Sequence, residues 1–267
     1  MAVATKSRLD AELVRRGLAR SREQARDLVD AGRVRVGGIV VTKPASGVDA
    51  SASVTVAATT GDDYVSRGAL KLAGALDALG GPPISGRRCL DAGASTGGFT
   101  DVLLRRGAAG VVAVDVGYGQ LAWRLRTDPR VQTLERRNVR DLTPEQIGGP
   151  VQLVVADLSF ISLGVVLPAL ARCAAADADL MLMVKPQFEV GRGQVGRGGV
   201  VREPALREQA VASVAAAADA LGLGVRDVAA SPLPGPAGNV EYFLWLAFGA
   251  PPLDPFHLHD VVRSGPQ

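Results

Sequence analysis

Cys89-Leu90-Asp91-Ala92-Gly93-Ala94-Ser95-Thr96-Gly97-Gly98-Phe99-Thr100 is the stretch whose reading decides the fold. It closes an apolar run that begins at Arg88 and opens a helical pattern from Phe99 to Arg106. A glycine turn between strand and helix lets the backbone approach a ligand and leaves helix N–H groups free to meet it. Asp115 lies at the end of the next apolar run, 22 residues beyond Gly93. At that spacing a carboxylate accepts a hydrogen bond from a ribose hydroxyl, so turn and acid together point to a nucleoside cofactor.

Working outward, apolar runs at Val111 to Val116, Val151 to Ala156, Leu180 to Val184 and Val240 to Phe248 alternate with helical stretches such as Ala205 to Leu221. Strand–helix alternation with continuously apolar strands predicts a parallel, Rossmann-like α/β sheet. The last run follows the turn-rich Pro232 to Gly238 and is expected to return as an antiparallel strand.

Three chemistries compete for the glycine loop. A dinucleotide site prefers G-x-G-x-x-G, but here Ser95 replaces the middle glycine and Asp91 precedes the loop. An aspartate there suits the cationic methionyl group of S-adenosylmethionine (SAM) better than a pyrophosphate, so SAM is favoured over NAD. Gly93 to Gly97 also spells G-x-S-x-G, the nucleophile elbow of α/β-hydrolases. Its triad would need His257 or His259, the two histidines of the chain, and both fall in a Pro-rich stretch after the last strand.

The 267 residues carry 30 Lys+Arg against 27 Asp+Glu, a net charge of +3, with a pI near 9.1. With 47% apolar and 21% charged residues the composition is that of a chain able to build a core, not of a disordered tail. Lys6, Arg8, Asp10 and Glu12 interrupt any leader-like apolar run, and Val165 to Val184, among the most apolar stretches, contains Arg172, Asp177 and Asp179. No stable membrane association is expected. Cys89 and Cys173 make neither a disulfide framework nor a metal motif, which suits a reducing cytoplasm, and no metal is expected.

The charge is uneven: residues 1 to 60 hold 10 Lys+Arg against 6 Asp+Glu, leaving the rest near neutral. Leu9, Leu13 and Val14 at helical spacing, Ser21 as an N-cap and Gly32 as a stop predict two short helices. Val34 to Val36, Gly37-Gly38 and Ile39 to Val41 predict a hairpin, with Val54 to Val56 as a third strand. Its many arginines are either a solvated face or a phosphate-binding surface, and their concentration in one small unit favours the latter. The Leu9 to Gly38 segment resembles the αL RNA-binding domain first known from ribosomal protein S-four, which implies RNA as ligand without naming a reaction.

Arginine is the usual cation here, and lysine occurs at Lys6, Lys43, Lys71 and Lys185. Lysine can lose its proton when desolvated, whereas guanidinium in practice cannot. Lys71 lies in the helix before the cofactor strand, Asp157 and Lys185 follow strands, and Glu241 opens the last one. Strand carboxyl ends border the ligand crevice, so these groups should converge there. They are either a proton-transfer group for a weakly acidic alcohol, with burial and a second positive charge lowering one lysine's pKa, or ordinary ion pairs at a sheet edge.

Ser66 to Leu72 (S-R-G-A-L-K-L), the glycine loop, Ala156 to Ser162 (A-D-L-S-F-I-S), Val184 to Glu189 (V-K-P-Q-F-E) and Gly238 to Trp245 (G-N-V-E-Y-F-L-W) resemble the TlyA family of ribosomal RNA 2′-O-methyltransferases, of the FtsJ-like class. The resemblance covers almost the whole chain. It implies a class I SAM-dependent methyltransferase that modifies cytidine ribose in the 16S and 23S rRNA of ribosomal subunits and so affects sensitivity to capreomycin-type antibiotics. A haemolysin label carried by the same family implies the alternative of a membrane-acting protein, and a non-enzymatic RNA-binding assembly factor is a third reading. The family's Lys-Asp-Lys-Glu tetrad falls on Lys71, Asp157, Lys185 and Glu241, with Lys185 as the implied base.

The expected cofactor contacts are Asp91, Gly93, Ser95, Thr96, Gly97, Gly98, Phe99 and Asp115, with Asn138 facing the adenine by resemblance. The expected RNA contacts are Arg8, Arg20, Arg22, Lys43, Arg67 and Arg136. The Gly191 to Gly199 loop, with Arg192 and Arg197, either closes over RNA phosphates or is a flexible connection. The expected domains are residues 1–59 for RNA binding, 60–66 as linker, 67–250 for methyl transfer and 251–267 as a C-terminal tail. In the linker, Asp62-Asp63-Tyr64-Val65 departs from the basic residue usual in the family, which leaves coupling between RNA contact and SAM binding open. Oligomeric state is not specified.

Overall fold

The computed structural model describes residues 6–19, 21–30, 32–57 and 64–266, except for the side chains of Glu23, Asp27 and Arg192. The chain divides into two compact units, Met1–Arg67 and Gly68–Gln267. Arg67, expected to begin the second domain, belongs to the first unit, where it pairs with Asp30 at 2.9 Å. Residues 60 to 63 of the expected linker, including Asp62 and Asp63, lie outside the described residues.

The first unit runs β1 (Ser7–Arg8), α1 (Leu9–Arg15), α2 (Arg22–Asp30), β2 (Val34–Val36), β3 (Ile39–Val40), β4 (Gly47–Val48) and β5 (Val54–Val56). Ser21 caps α2 by accepting the Gln24 N–H at 3.1 Å. Gly37 and Gly38, at φ of 58° and 84°, form the two-residue turn joining β2 to β3. The β2 strand also pairs antiparallel with β5, and β1 with β4. Leu9 and Leu13 of α1, Ala25 and Val29 of α2, and Val34 and Val48 form the core of this unit.

The second unit continues with α3 (Gly68–Leu79), β6 (Arg88–Ala92), α4 (Gly98–Arg105), β7 (Gly110–Asp115), α5 (Trp123–Arg126), β8 (Val131–Glu135), β9 (Val151–Ala156), α6 (Leu163–Cys173), β10 (Ala174–Val184), α7 (Pro186–Glu189), α8 (Pro204–Asp219), β11 (Leu223–Ala230), β12 (Tyr242–Phe248) and α9 (Pro255–Ser264). Its strands are ordered β11-β12-β10-β9-β6-β7-β8. The five strands β10, β9, β6, β7 and β8 are parallel, and β12 runs antiparallel between β10 and β11. The chain moves outward from β6 through β7 to β8, then returns to β9 on the other side. The switch point, where α/β sheets bind ligands, therefore lies at the carboxyl ends of β6 and β9.

Alternate residues, Leu90, Ala92, Val112, Val114, Val154, Ala156, Leu180, Leu182 and Val184, fill one face of the sheet beneath α6 and α8. Helices α3 and α4 pack together on the β11 and β7 side of the unit. Both faces are covered, which is why the strands read as unbroken apolar runs. Strands β8 and β11 had no such signal: V-Q-T-L-E alternates at an edge, and L-G-V-R-D-V-A-A is broken by glycine and charge.

The segment from residue 251, expected to be a tail, carries α9. Asp254 caps it by accepting the Phe256 N–H at 2.9 Å, and Leu258 and Val262, one turn apart, join the core against α8 and β11. Its prolines mark a helix start, because the first turn needs no proline N–H.

Candidate active site

Asp91 sits on the face of β6 opposite Leu90 and Ala92 and is fully buried. Its Oδ2 accepts both the backbone N–H and the hydroxyl of Thr100, at 2.9 and 2.6 Å, while Oδ1 has no hydrogen-bond partner. Burial pushes this carboxyl up to about 7, against the opposing pull of the Thr100 hydrogen bonds. A buried oxygen left unsatisfied is costly, and a cationic ligand group beside it would relieve the cost.

At Gly93, φ +88°, a Cβ would stand 2.6 Å from the Asp157 carbonyl oxygen, so the loops leaving β6 and β9 meet there with no room for a side chain. Asp115 accepts the Ser95 N–H at 2.8 Å through Oδ2 and the Gly117 N–H at 2.6 Å through Oδ1. Each oxygen keeps lone-pair capacity for a further donor. Ser95, Asp115, Gly117, Gln120, Thr133 and Glu135 line the groove beside it.

Two lysine–carboxylate pairs stand at the strand ends. Lys185, just after β10, pairs with Asp157 Oδ1 at 2.6 Å and donates to Ser159 Oγ at 2.9 Å. Lys71 of α3 donates to Glu241 Oε2 at 2.6 Å. The antiparallel register pairs Val184 with Tyr242, so Lys185 and Glu241, one step further on each chain, leave the strands side by side. Lys71, Lys185 and Glu241 are buried and Asp157 is partly exposed. A buried ammonium persists only when paired, so each carboxylate explains its lysine. Amines flanked by carboxylates beside a ligand crevice can take a proton from a hydroxyl and stabilise the resulting charge.

Residues 64–248 match the FtsJ-like methyltransferase family, and residues 7–54 match the S4 domain. The chain belongs to the FtsJ-like methyltransferase family. It is 60% identical over 99% of its length, and 100% of the relative's, to a Mycobacterium tuberculosis protein named 16S/23S rRNA (cytidine-2′-O)-methyltransferase TlyA. It is 37% identical to Hemolysin A of Brachyspira hyodysenteriae over 88% of this chain and 97% of that one. The solved structure of a suspected hemolysin from Streptococcus thermophilus is similar with a TM-score of 0.77 at 38% identity, covering 98% of this chain and 96% of that one.

Within this FtsJ-like unit, the expected site residues separate into groups. Lys71, Asp157, Lys185 and Glu241 form the two ion pairs at the strand ends, and Asp91, Gly93, Ser95 and Asp115 gather around the loop. Thr96 joins the loop to α5 through its carbonyl, which accepts the Ala122 N–H at 3.1 Å. Gly97 and Gly98 bring the chain into α4, and a Cβ on Gly97 would collide with Leu121 and Leu125. Phe99, expected at the cofactor, is buried, and its ring lies 6.0 Å from that of Phe243. Asn138 caps the turn Val139–Asp141, its Oδ1 accepting the Arg140 N–H at 3.1 Å.

The hydrolase triad is not assembled. Ser95 Oγ donates to Gln120 at 3.2 Å, while His257 and His259 on α9 contact Asp227 at 2.8 Å and Glu208 at 3.0 Å. Gln120 and Glu135 were missed by the sequence reading. Glu135 ends β8 as Asp115 ends β7, accepts the Gly119 N–H at 2.8 Å, and was hidden with its strand.

Among the expected RNA contacts, Arg20 lies outside the described residues. Arg8 and Arg22 are half-exposed and share Asp10, Arg67 holds Asp30, and Lys43 is exposed. In the FtsJ-like unit, Arg136 lies 4.3 Å over the Tyr118 ring. Gly199 and Val201, at the end of the Gly191 to Gly199 loop, are fixed by the buried Asn239, whose amide bonds the Gly199 carbonyl and the Val201 N–H at 2.8 and 2.9 Å. Among the described residues no helix is long and apolar enough to cross a membrane.

Proposed function

We propose that the chain transfers a methyl group from SAM to the ribose 2′-hydroxyl of cytidine in 16S and 23S rRNA, acting on ribosomal subunits in the cytoplasm. The observation that carries this reading is the placement of two buried lysines, each paired with a carboxylate, at the sheet end beside a glycine loop with an orphaned carboxylate oxygen. When bound, SAM supplies an electrophilic methyl group on a cationic sulfur. Asp91 Oδ1 would hold its cationic methionyl portion, and Asp115 its ribose hydroxyls. Lys185, after its ammonium has released one proton to solvent, takes the proton of the 2′-hydroxyl through the freed lone pair as that oxygen is methylated, and Asp157 stabilises the ammonium so formed. Lys71 and Glu241 complete the charge balance alongside. The name of the Mycobacterium tuberculosis relative supports cytidine and both rRNAs, and the S4 domain supports RNA binding by the first unit. The same reading carries an effect on capreomycin-type antibiotic sensitivity. The hemolysin names of two relatives point to no residue of this chain, whereas methyl transfer uses all four tetrad members.

Transfer of tritiated methyl from SAM to isolated 30S, 50S and 70S particles, followed by mapping of the 2′-O-methyl group, tests the reading. Label from the wild type that is abolished in Lys185→Ala supports it. No label from the wild type, or undiminished label from the variant, overturns it.

A further inference from the structure

The D-L-S-F-I-S and K-P-Q-F-E motifs contain more than the tetrad uses. Beyond Asp157 and Lys185, they join the loop after β9 to the loop after β10 at three further points. Ser159 Oγ accepts from Lys185 Nζ at 2.9 Å. The Phe160 and Phe188 rings lie 5.2 Å apart at 49°. The Glu189 carboxylate accepts the Ser162 hydroxyl at 2.6 Å and the Leu163 N–H at 2.8 Å, closing the start of α6. Ser162 in turn caps α6 by accepting the Gly164 N–H at 3.1 Å.

Loops leaving neighbouring parallel strands have no ladder to hold them together, so side chains must set their relative position. Here they hold the backbone in a conformation it would otherwise avoid: Phe160, between Ser159 and Ser162, has φ 65°, and such strain persists only where the surroundings over-determine it. Burial pushes the Glu189 carboxyl above its ordinary value, although its two donors act in the opposite direction. An ammonium donates along three fixed directions. Ser159 Oγ takes one of these from Lys185, and the Asp157 carboxylate 2.6 Å away pairs with its charge, so Nζ is held between the two.

We infer that Ser159 is a positioning residue for methyl transfer, holding Lys185 Nζ jointly with Asp157, and that Glu189 maintains the arrangement by stapling the two strand-end loops. This rests on Lys185 being the base. Proton transfer tolerates little displacement, and an error of about 1 Å costs on the order of 100-fold in rate.

The test measures kcat and KM for methyl transfer from SAM to ribosomal particles in Ser159→Ala, Ser159→Thr, Glu189→Gln and Lys185→Ala, with thermal midpoints recorded for each. Ser159→Ala is expected to lower kcat about 10- to 100-fold with KM for SAM and RNA within about twofold and the midpoint unchanged. Ser159→Thr, which keeps the hydroxyl, is expected to recover most of the loss. Glu189→Gln, which keeps an acceptor for the Leu163 N–H, is expected to fall between wild type and Ser159→Ala. A wild-type kcat in Ser159→Ala, or a threonine variant no faster than alanine, would overturn the positioning role while an inactive Lys185→Ala left the base assignment standing. Wild-type rates in Lys185→Ala would remove both.

Discussion

The acid–arginine clusters of the first unit and the lysine–carboxylate pairs at the strand ends of the second bury opposite partners. In the first unit, buried carboxylates gather arginines. Asp10 accepts from Arg8 at 3.1 and 3.0 Å and from Arg22 at 2.9 Å, with Arg26 at 3.6 Å, and each of these arginines keeps about half its side chain in solvent. Glu12 likewise holds Arg15 at 2.5 Å and Arg16 at 2.7 Å. In the second unit the lysines are buried, and of their carboxylates only Asp157 retains appreciable exposure. The difference follows from side-chain chemistry. Guanidinium stays charged and, fixed by a buried acid, presents a permanent positive surface, whereas a buried lysine can give up its proton. The +4 of the N-terminal segment is thus an organised surface, and the near-neutral remainder holds the groups able to transfer protons.

The sharpest way to break this contrast is to exchange the cations. Lys185→Arg keeps the positive charge but cannot act as a base, and is expected to lose methyl transfer by roughly 10²- to 10⁴-fold, as Lys185→Ala does. An active arginine variant in the tritium assay would show that charge alone suffices. The next effect concerns Asp91. Asp91→Asn is expected to weaken SAM binding about 10- to 100-fold, the scale of a lost hydrogen bond to a charged group. Because its carboxyl lies near 7, binding of a cation should release a proton close to neutral pH. Calorimetry in buffers of different ionisation enthalpy reads both quantities.

A smaller effect separates the units by the sign of their pH dependence. The guanidinium of Arg8 holds the Asp10 carboxyl well below its ordinary 3.8, so the stability it contributes is present above that pH and is lost as pH falls through the folded value. Glu12, held at about 2 by Arg15 and Arg16, acts in the same direction. Asp91 is raised instead, so its contribution is complete below pH 3.8 and disappears as pH rises towards 7. Scanning calorimetry should therefore show Asp10→Asn lowering the midpoint at pH 7 with the gap closing in acid, and Asp91→Asn raising it at pH 8 but not at pH 4. The smallest effect is on salt dependence. Lys43→Gln is expected to reduce the slope of log affinity for rRNA against log salt by about one without moving the midpoint, whereas Arg22→Gln should change both.

Much of the fold was legible because its central strands are covered on both faces and so read as continuous apolar runs. Edge elements were not. β8 alternates, β11 contains glycine and charge, and α9 hides its Leu258 and Val262 spacing behind prolines that suit a helix start. In the site, the glycine loop and Asp115 were readable from local spacing. The packing of Phe99 was not readable, because a residue beside the loop can face either the ligand or the core, and only the fold brings its ring to Phe243.

The sequence by itself determined the strand–helix alternation, the glycine turn, the basic N-terminal unit and the scarcity of lysine, because all of these are set by neighbouring residues and by composition. Only the tertiary structure decided that Lys71 meets Glu241 across 170 residues, that Lys185 takes Asp157 and Ser159, and that Glu189 closes α6. Those partnerships depend on strand order and register, which place distant residues at one sheet end and which no local spacing encodes.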